Sequence, residues 1–257
     1  MDKSRITWTD STWNPWMGCQ KVSGACKYCY MHKILDKDGN DPSIVNRTKS
    51  SFYKPLNWKV GRLIFTCSMS DFFIKEADEW RKEAWDIIKR TPQHTYLILT
   101  KRPERIQECL PEDWSPELYS HVWLGTTVES QNEVHRIHEL AKIKCQLRWV
   151  SFEPLLGPIY LNKEELDTVE WAVIGGESGN LEGKYRFRKS ELAWYLSLMY
   201  QFRDAGTPVF FKQLGSYYHH YDLKVSDSKG ERWCSKFPDV FKIRQYPSIE
   251  KGGYHGI

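Results

Sequence analysis

The sequence predicts an α/β fold, a barrel of about six parallel β-strands with an irregular C-terminal extension, and three observations support this fold class. Short apolar runs alternate with segments of helical periodicity over most of the chain. Polar side chains follow each apolar run directly, and the alternation stops near residue 215. Because strands that alternate with helices form parallel sheets, we expect a barrel over residues 1–215 and a cap or lid over residues 216–257.

The elements are expected in a regular order. Residues 6–9 are predicted to form a short first strand and residues 26–35 a helix, whereas residues 40–60 are predicted to be an irregular connection. The apolar runs predicted to form the later strands are residues 63–67, 96–99, 122–126, 147–152, 171–174 and 209–211. Helices are predicted around Trp80, Ala84, Ile87 and Ile88, which recur at helical spacing, and near residues 131–142 and 189–205.

Polar residues follow six successive strands, each just past the carboxyl end. They are Ser68, Ser70 and Asp71; Thr100, Lys101 and Arg102; Thr127 and Glu129; Glu153; Glu177 and Ser178; Lys212 and Gln213. The carboxyl ends of the strands of a parallel barrel converge on one mouth, where barrel enzymes hold their active sites. This pattern favours an enzyme over a non-catalytic α/β domain.

Composition narrows the class of protein. Of 257 residues, 40% are hydrophobic and 14% aromatic, which is typical of a globular chain. No apolar run is long enough for a membrane helix, and the N-terminal residues lead us to expect no secretory signal. Seven mostly scattered cysteines argue against a disulfide framework, so we expect a cytoplasmic protein. The net charge of +4 permits a phosphate-bearing partner without requiring one.

Three cysteines near the N-terminus are the strongest single motif. Cys19, Cys26 and Cys29 have the spacing Cys-x6-Cys-x2-Cys, which brings three thiols together from a loop and a helix start. Such an arrangement predicts a metal or cluster site. Three thiolates on a four-iron cluster leave one iron open to an amine and a carboxylate. The alternative is structural zinc with His32 as fourth ligand, which would make the chain a zinc-stapled nucleic-acid-binding protein without catalysis.

The motif Cys26-Lys27-Tyr28-Cys29 resembles the signature loop of the radical S-adenosylmethionine superfamily, which ends in Cys-x-aromatic-Cys. More closely, the chain is similar to an uncharacterised, phage-associated group of radical-SAM-like proteins. The matching motifs are Trp13-Asn14-Pro15, Ser68-Met69-Ser70-Asp71, Leu99-Thr100-Lys101-Arg102-Pro103, Glu153-Pro154-Leu155-Leu156-Gly157-Pro158, Gly175-Gly176-Glu177-Ser178-Gly179 and Phe211-Lys212-Gln213. The superfamily's usual first gap has three residues and this chain has six, so the loop shape is not carried over.

The resemblance implies a partial (β/α) barrel and a role for each group of residues. Cys19, Cys26 and Cys29 would bind a [4Fe-4S] cluster, and S-adenosylmethionine would cap its open iron. Reduction by a flavodoxin- or ferredoxin-like electron donor would then yield a 5′-deoxyadenosyl radical that abstracts hydrogen from the substrate. The residues implied to contact the cofactor are Tyr28 at the adenine, Ser68, Ser70 and Asp71 at the methionine amine, Lys101 or Arg102 at the carboxylate, Thr127 or Glu129 at the ribose, and Gly175 and Gly176 where backbone approaches closely. The two glycines alternatively form only a tight turn after their strand.

Four polar residues are left for catalysis and the substrate: Glu153, Glu177, Lys212 and Gln213. The alternative is an ion-paired rim with a structural role. The phage association and the mildly basic mouth predict a nucleotide, a modified base or a nucleic acid as substrate. A third hypothesis is a degenerate barrel that binds a nucleotide as a regulatory partner without turnover.

Overall fold

The computed structural model describes residue 4 and residues 6–221 and 238–248, and it contains a curled, open sheet of parallel strands. The strands of the described residues are β1 (Ser11–Trp13), β2 (Trp16–Met17), β3 (Asn46–Arg47), β4 (Leu63–Thr66), β5 (Thr95–Thr100), β6 (Val122–Thr127), β7 (Leu147–Phe152), β8 (Trp171–Gly175) and β9 (Val209–Gln213). Within this part of the chain the main sheet has seven strands in the order β1-β4-β5-β6-β7-β8-β9, all parallel. The predicted α/β half-barrel is confirmed, with one strand more than the roughly six expected.

The first strand is not where the sequence analysis placed it. Residues 6–9 form a turn closed by the Thr9 amide, which donates to the Ile6 carbonyl at 3.2 Å, and β1 begins only at Ser11. Side chains contribute most of the bonds from Thr9 and Asp10 to Leu63: Thr9 Oγ1 donates to the Leu63 carbonyl at 2.6 Å, and Asp10 Oδ2 accepts from the Leu63 amide at 2.8 Å. The Asp10 amide adds one backbone bond to the Leu63 carbonyl, at 2.9 Å. The prediction of a strand over residues 6–9 is therefore wrong.

Helices cross over between successive strands on the convex face of the sheet. The described α-helices are α1 (Tyr30–Lys37), α2 (Lys54–Asn57), α3 (Asp78–Arg90), α4 (Ile106–Cys109), α5 (His135–Ala141), α6 (Lys163–Thr168), α7 (Leu192–Ala205) and α8 (Ser216–His220). In α3 the predicted apolar stripe is buried except for Trp80, which is half-buried, and the two ends carry charges that complement the helix dipole, acidic first and basic last. Residues 40–60 also differ from expectation, since β3 pairs there with β2 and α2 follows.

The cysteine segment contains two short helices instead of the single helix predicted over residues 26–35. A 3₁₀-helix covers Gly24–Tyr28, and α1 begins after Cys29, whose extended ψ of 130° separates the two. Because of this break, Cys26 and Cys29 lie on the approach to α1 and not on its first turn.

The two faces of the sheet bury different cores. The convex face packs against the helices, whereas the concave face is filled with aromatic rings, including those of Trp8, Phe65, Trp149 and Trp171. Gly125 makes room for one of them, because a Cβ at this position would lie 2.5 Å from the Trp149 ring. The rings close the amino-terminal side of the half-barrel and leave the carboxyl ends of the strands open.

Part of the C-terminal extension lies along the free edge of β9. The Phe211 amide donates to the Ile243 carbonyl at 2.8 Å and the Gln245 amide to the Val209 carbonyl at 2.9 Å. Residues 222–237 and 249–257 lie outside the described residues, so the division at residue 216 and the cap or lid remain predictions. In the described part of the chain, no helix combines the length and apolar character needed to cross a membrane.

Candidate active site

A cavity of about 500 Å³ opens at the carboxyl ends of the strands. Its wall contains fifteen of the residues predicted for the site: Cys19, Cys26, Cys29, Tyr28, Ser68, Ser70, Asp71, Lys101, Arg102, Thr127, Glu153, Gly176, Glu177, Lys212 and Gln213. The two other predicted residues, Glu129 and Gly175, lie behind this wall, in contact with Lys101 and Glu153 respectively. The parallel sheet thus gathers residues from six strand ends and the cysteine loop around one space.

The three thiols line one side of the cavity. Cys26 is buried and the other two are half-buried. Burial, together with the nearby Asp71 carboxylate, raises the pKa of Cys19 to about 12, and burial also raises the pKa of Cys29. The Cys26 sulfur contributes to both increases, so it lies close enough to the other two sulfurs to affect their ionisation. The free Cys19 and Cys29 thiols are therefore protonated at neutral pH, and metal binding has to displace their protons.

The arrangement does not match a single zinc ion. Four ligands around one tetrahedral zinc lie within about 4 Å of one another, because each Zn–S bond is only about 2.3 Å long. Among the described residues, no three His, Cys, Asp or Glu side chains are grouped to hold one metal ion, although His32 also lines the cavity. Three cysteine thiols that line one cavity are also the ligand type of iron–sulfur clusters.

Hydrogen bonds connect the cysteine loop, residues 18–29, to the turn after β4. The Gly18 amide donates to the Met69 carbonyl at 3.0 Å, and Ser70 Oγ donates to the Gly18 carbonyl at 2.5 Å. Gly18 has a φ of +96°, and a Cβ there would lie 2.1 Å from the Ile44 carbonyl oxygen. Only glycine fits this position, which sets the direction in which the chain leads into Cys19.

Asp71 organises this side of the cavity. Its carboxylate accepts from Thr100 Oγ1 at 2.7 Å, from the amides of Phe73 and Lys101 at 2.9 and 3.0 Å, and from Arg102 Nη1 at 3.0 Å. Arg102 Nη2 in turn donates to the Gln20 carbonyl at 2.8 Å, and Nη1 lies 3.8 Å from Cys19 Sγ. Asp71 is therefore saturated by internal donors, and Arg102 connects it to the cysteine loop.

Lys101 is held over a buried carboxylate. Its ammonium donates to Thr127 Oγ1 at 2.8 Å and to Glu129, which also accepts from Arg136 Nη1 at 3.0 Å. Burial opposes ionisation of Glu129, but Lys101 and Arg136 outweigh it and keep the pKa of this carboxyl below its ordinary value. Sequence reasoning missed Arg136, because its helix is on the convex face and only the fold brings it behind the wall.

Glu177 is connected to the opposite side of the cysteine loop by Arg188, which the sequence analysis missed. The Arg188 amide and Nε donate to Glu177 Oε2 at 2.7 and 2.8 Å, and Nη1 donates to the Gly24 carbonyl at 3.1 Å. The same guanidinium lies 5.2 Å from the centre of the Tyr28 ring. The cluster of basic residues over 184–189 was the available signal, and the sequence analysis gave it no role.

Glu153 and Lys212 form the most accessible ion pair in the cavity. Lys212 Nζ donates to Glu153 Oε1 at 2.6 Å, and the two side chains are 23% and 17% exposed. Gln213 Nε2 donates to Ser178 Oγ at 2.7 Å beside them. Internal packing accounts for the neighbouring glycines: a Cβ at Gly175 would lie 3.3 Å from the Glu153 carboxyl carbon, and one at Gly176 would lie 2.4 Å from the Leu214 carbonyl oxygen.

The floor of the cavity is apolar. Ile6, Trp8, Phe65 and Leu99 line it, and the Trp8 indole N–H has no hydrogen-bond partner among the described residues. The wrong assignment of residues 6–9 as a strand hid this floor from the sequence analysis. The cavity therefore combines an apolar base with walls that carry thiols and paired charges, and small-molecule sites likewise combine an apolar lining with a few polar groups.

Comparison with known proteins gives a family but no activity. A family model described as "Protein of unknown function (DUF5131)" matches residues 3–239. No curated protein matches the chain. Among solved structures, spore photoproduct lyase complexed with dinucleoside spore photoproduct is 12% identical with a TM-score of 0.46. A variant of that lyase with bound AdoMet and dinucleoside spore photoproduct is 12% identical with a TM-score of 0.47. In both comparisons the match covers 79% of this chain and 63% of the other, so the chain spans less than two thirds of the lyase's length.

Proposed function

We propose that this chain, which belongs to the DUF5131 family of proteins of unknown function, is a radical S-adenosylmethionine enzyme that abstracts hydrogen from its substrate. The proposal rests on the residues of the cavity, because the family description names no activity. One observation carries the proposal. The three thiols of the Cys-x6-Cys-x2-Cys motif line the same cavity as the polar residues at six successive strand ends. A structural metal site has no need of such a mouth, whereas a catalyst does.

Cys19, Cys26 and Cys29 would hold a [4Fe-4S] cluster. Such a cluster with S-adenosylmethionine supplies one-electron chemistry that the side chains lack, namely a radical able to remove hydrogen from carbon. The side chains of the protein would hold the cysteine loop in position and supply the charges around it. Arg102 from one side and Arg188 from the other donate to carbonyls of this loop, which also places two positive charges near the thiolates of a negatively charged cluster.

The internal hydrogen bonds support a choice between residues that the resemblance left as alternatives. Arg102 is engaged by Asp71, Gln20 and Cys19, so we assign the methionine carboxylate to Lys101, whose side chain is 22% exposed to the cavity. Glu129 is 1% exposed and behind the wall, so Thr127 is the better partner for the ribose. Asp71 would act by positioning Arg102 and the Lys101 backbone, and the turn it belongs to would bind the methionine amine.

The substrate would occupy the space between the apolar floor and the Glu153–Lys212 pair. This pair offers a carboxylate and an ammonium 2.6 Å apart, able to accept and donate hydrogen bonds to one polar group. The apolar floor of Trp8, Phe65 and Leu99 suits a flat ring and keeps water away from a reactive carbon. A nucleotide or a modified base has both features, so we retain this substrate class from the sequence analysis.

Anaerobic reconstitution tests the proposal. The full chain, reconstituted with iron and sulfide, is expected to be brown and, with dithionite and S-adenosylmethionine, to form 5′-deoxyadenosine. Cys26→Ala should abolish both the colour and the product, whereas Cys145→Ala, a half-buried cysteine outside the cavity, should leave both intact. A colourless protein that carries zinc, or a fully loaded protein that forms no 5′-deoxyadenosine, contradicts the proposal.

A further inference from the structure

A basic segment leads from the cavity-lining residues Glu177 and Ser178 to α7, and we call its residues 179–190 the strap. Hydrogen bonds connect the strap to α1, the helix that follows the three cysteines: Lys33 Nζ donates to Asn180 Oδ1 at 2.6 Å, and both Lys184 and Tyr185 bond to Asp36. At its other side, the Gly179 amide donates to Ser216 Oγ at 3.0 Å at the start of α8. The strap, the cysteine segment and α8 therefore form one continuous surface around the mouth.

This surface contains the excess positive charge of the protein. Residues 20–37 and 177–191 carry eight lysines and arginines against four carboxylates. The resulting excess of four positive charges equals the net charge of +4 of the whole chain, so the rest of the chain is neutral in sum. A small protein that concentrates its net charge around one opening attracts an anionic partner to that opening.

Aromatic rings lie beside these cations. Phe187 of the strap stacks on His220 with ring centres 5.7 Å apart, and Tyr221 lies 6.4 Å from Phe187. Lys189 Nζ lies 5.2 Å from the centre of the Tyr217 ring. Tyr221 is 59% exposed, so one ring of this group presents a face to solvent. Cations that follow a phosphate backbone, next to rings on which bases stack, are the combination by which proteins bind single strands.

We propose that the strap, the cysteine segment and the aromatic rings of α8 bind single-stranded nucleic acid, with one nucleotide entering the cavity. A duplex fits less well, because its bases are stacked and paired and cannot reach the exposed ring or a cavity of about 500 Å³. The inference rests on the proposed function for the fate of the nucleotide inside the cavity. The binding itself needs neither cluster nor cofactor.

Fluorescence anisotropy on the full-length apoprotein tests the binding directly. The probe is a fluorescein-labelled mixed-sequence 12-mer of single-stranded DNA, titrated at several salt concentrations. Arg186→Gln combined with Lys189→Gln should weaken binding about tenfold and reduce the slope of log K against log salt by about 1.4, for two lost phosphate contacts. Lys89→Gln combined with Lys142→Gln removes the same charge from exposed positions on the outer helices and should leave binding unchanged.

A second pair of variants tests base stacking. Tyr221→Leu should weaken binding of the 12-mer about tenfold, whereas Tyr200→Leu, at a 45% exposed ring on α7, should have no effect. Far-ultraviolet circular dichroism establishes that each variant is folded. The proposal is overturned if the two charge variants weaken binding equally, if Tyr221→Leu binds like wild type, or if duplex DNA or heparin binds as tightly as the single strand. If the apoprotein binds no strand while the reconstituted enzyme still forms 5′-deoxyadenosine, this inference fails and the proposed function stands.

Discussion

Arg102 donates to Asp71 at 3.0 Å and, through its other terminal nitrogen, to the Gln20 carbonyl at 2.8 Å. The pair thereby joins the turn after β4 to the loop that carries the first cysteine. Both side chains are nearly buried, at 10% and 6% exposure, so neither charge is satisfied by water if its partner is lost. These two hydrogen bonds of Arg102 therefore hold the cysteine loop in a fixed position against the half-barrel.

Breaking this pair should release the cysteine loop. Asp71→Asn leaves the Arg102 charge buried without a counter-ion, and we expect it to lower the free energy of unfolding by about 3 kcal/mol. It should also reduce iron bound per chain after reconstitution. Arg102→Lys keeps the charge but not the bond to the Gln20 carbonyl, so we expect a smaller loss of stability with a similar loss of iron. Urea denaturation and iron analysis measure the two effects, and wild-type iron content in both variants would show that the pair does not position the loop.

Gly18 should be essential to the loop and Gly24 should not. A Cβ at Gly18 would collide with the Ile44 carbonyl, and its φ of +96° disfavours any other residue. A Cβ at Gly24 would meet no atom within 4 Å, which makes Gly24→Ala a matched control in the same loop. We expect Gly18→Ala to lower the free energy of unfolding by at least about 1 kcal/mol and to lose the cluster. Equal iron retention by the two variants would contradict this account of the loop.

Glu129 should make stability depend on pH in the acid range. Its pKa in the folded protein lies below the ordinary value of 4.5, so its contribution is complete above about pH 4.5 and is lost as pH falls through the lowered pKa. Glu129→Gln should therefore be less stable than wild type at pH 7 by about 3 kcal/mol, and this difference should shrink on acidification. Urea denaturation of the apoproteins at a series of pH values measures it. The exposed Glu79→Gln serves as control, and a difference that is constant with pH would contradict the role of ionised Glu129.

The sequence was enough to predict the half-barrel because its signals are local. Apolar runs such as Leu63–Thr66 and the helical stripe of α3 report burial directly, and the parallel arrangement follows from their alternation. The first strand was misplaced for an equally local reason. Ile6 and Trp8 are apolar because they form the floor of the cavity, and the side chains of Thr9 and Asp10 pair with β4 alongside a single backbone bond from the Asp10 amide.

The candidate site was predictable as a set of residues but not as a network. Strand ends identify Asp71, Lys101 and Glu177, since every parallel strand points its carboxyl end at the mouth. Glu129 pairs with Arg136 of the helix that follows it, and Glu177 pairs with Arg188 of the connection that follows it. These pairings depend on the path of the folded chain, which the residue pattern does not report. For the same reason the sequence did not reveal that Asp71 is saturated by internal donors.

Lys101 should determine affinity for S-adenosylmethionine. Its ammonium lies at the cavity wall, and loss of a charge-assisted hydrogen bond to the methionine carboxylate should raise Kd about tenfold or more. The single change Lys101→Met also deprives Glu129 of one counter-ion, so we pair it with Glu129→Gln to keep the local charge balanced. Equilibrium dialysis of the reconstituted proteins measures binding, and iron analysis establishes that each carries its cluster. The double variant should bind S-adenosylmethionine as weakly as Lys101→Met, whereas Glu129→Gln alone should bind it nearly as well as wild type. Recovery of full affinity in the double variant would mean that Lys101 acts only by neutralising Glu129, and the methionine carboxylate would then need another partner.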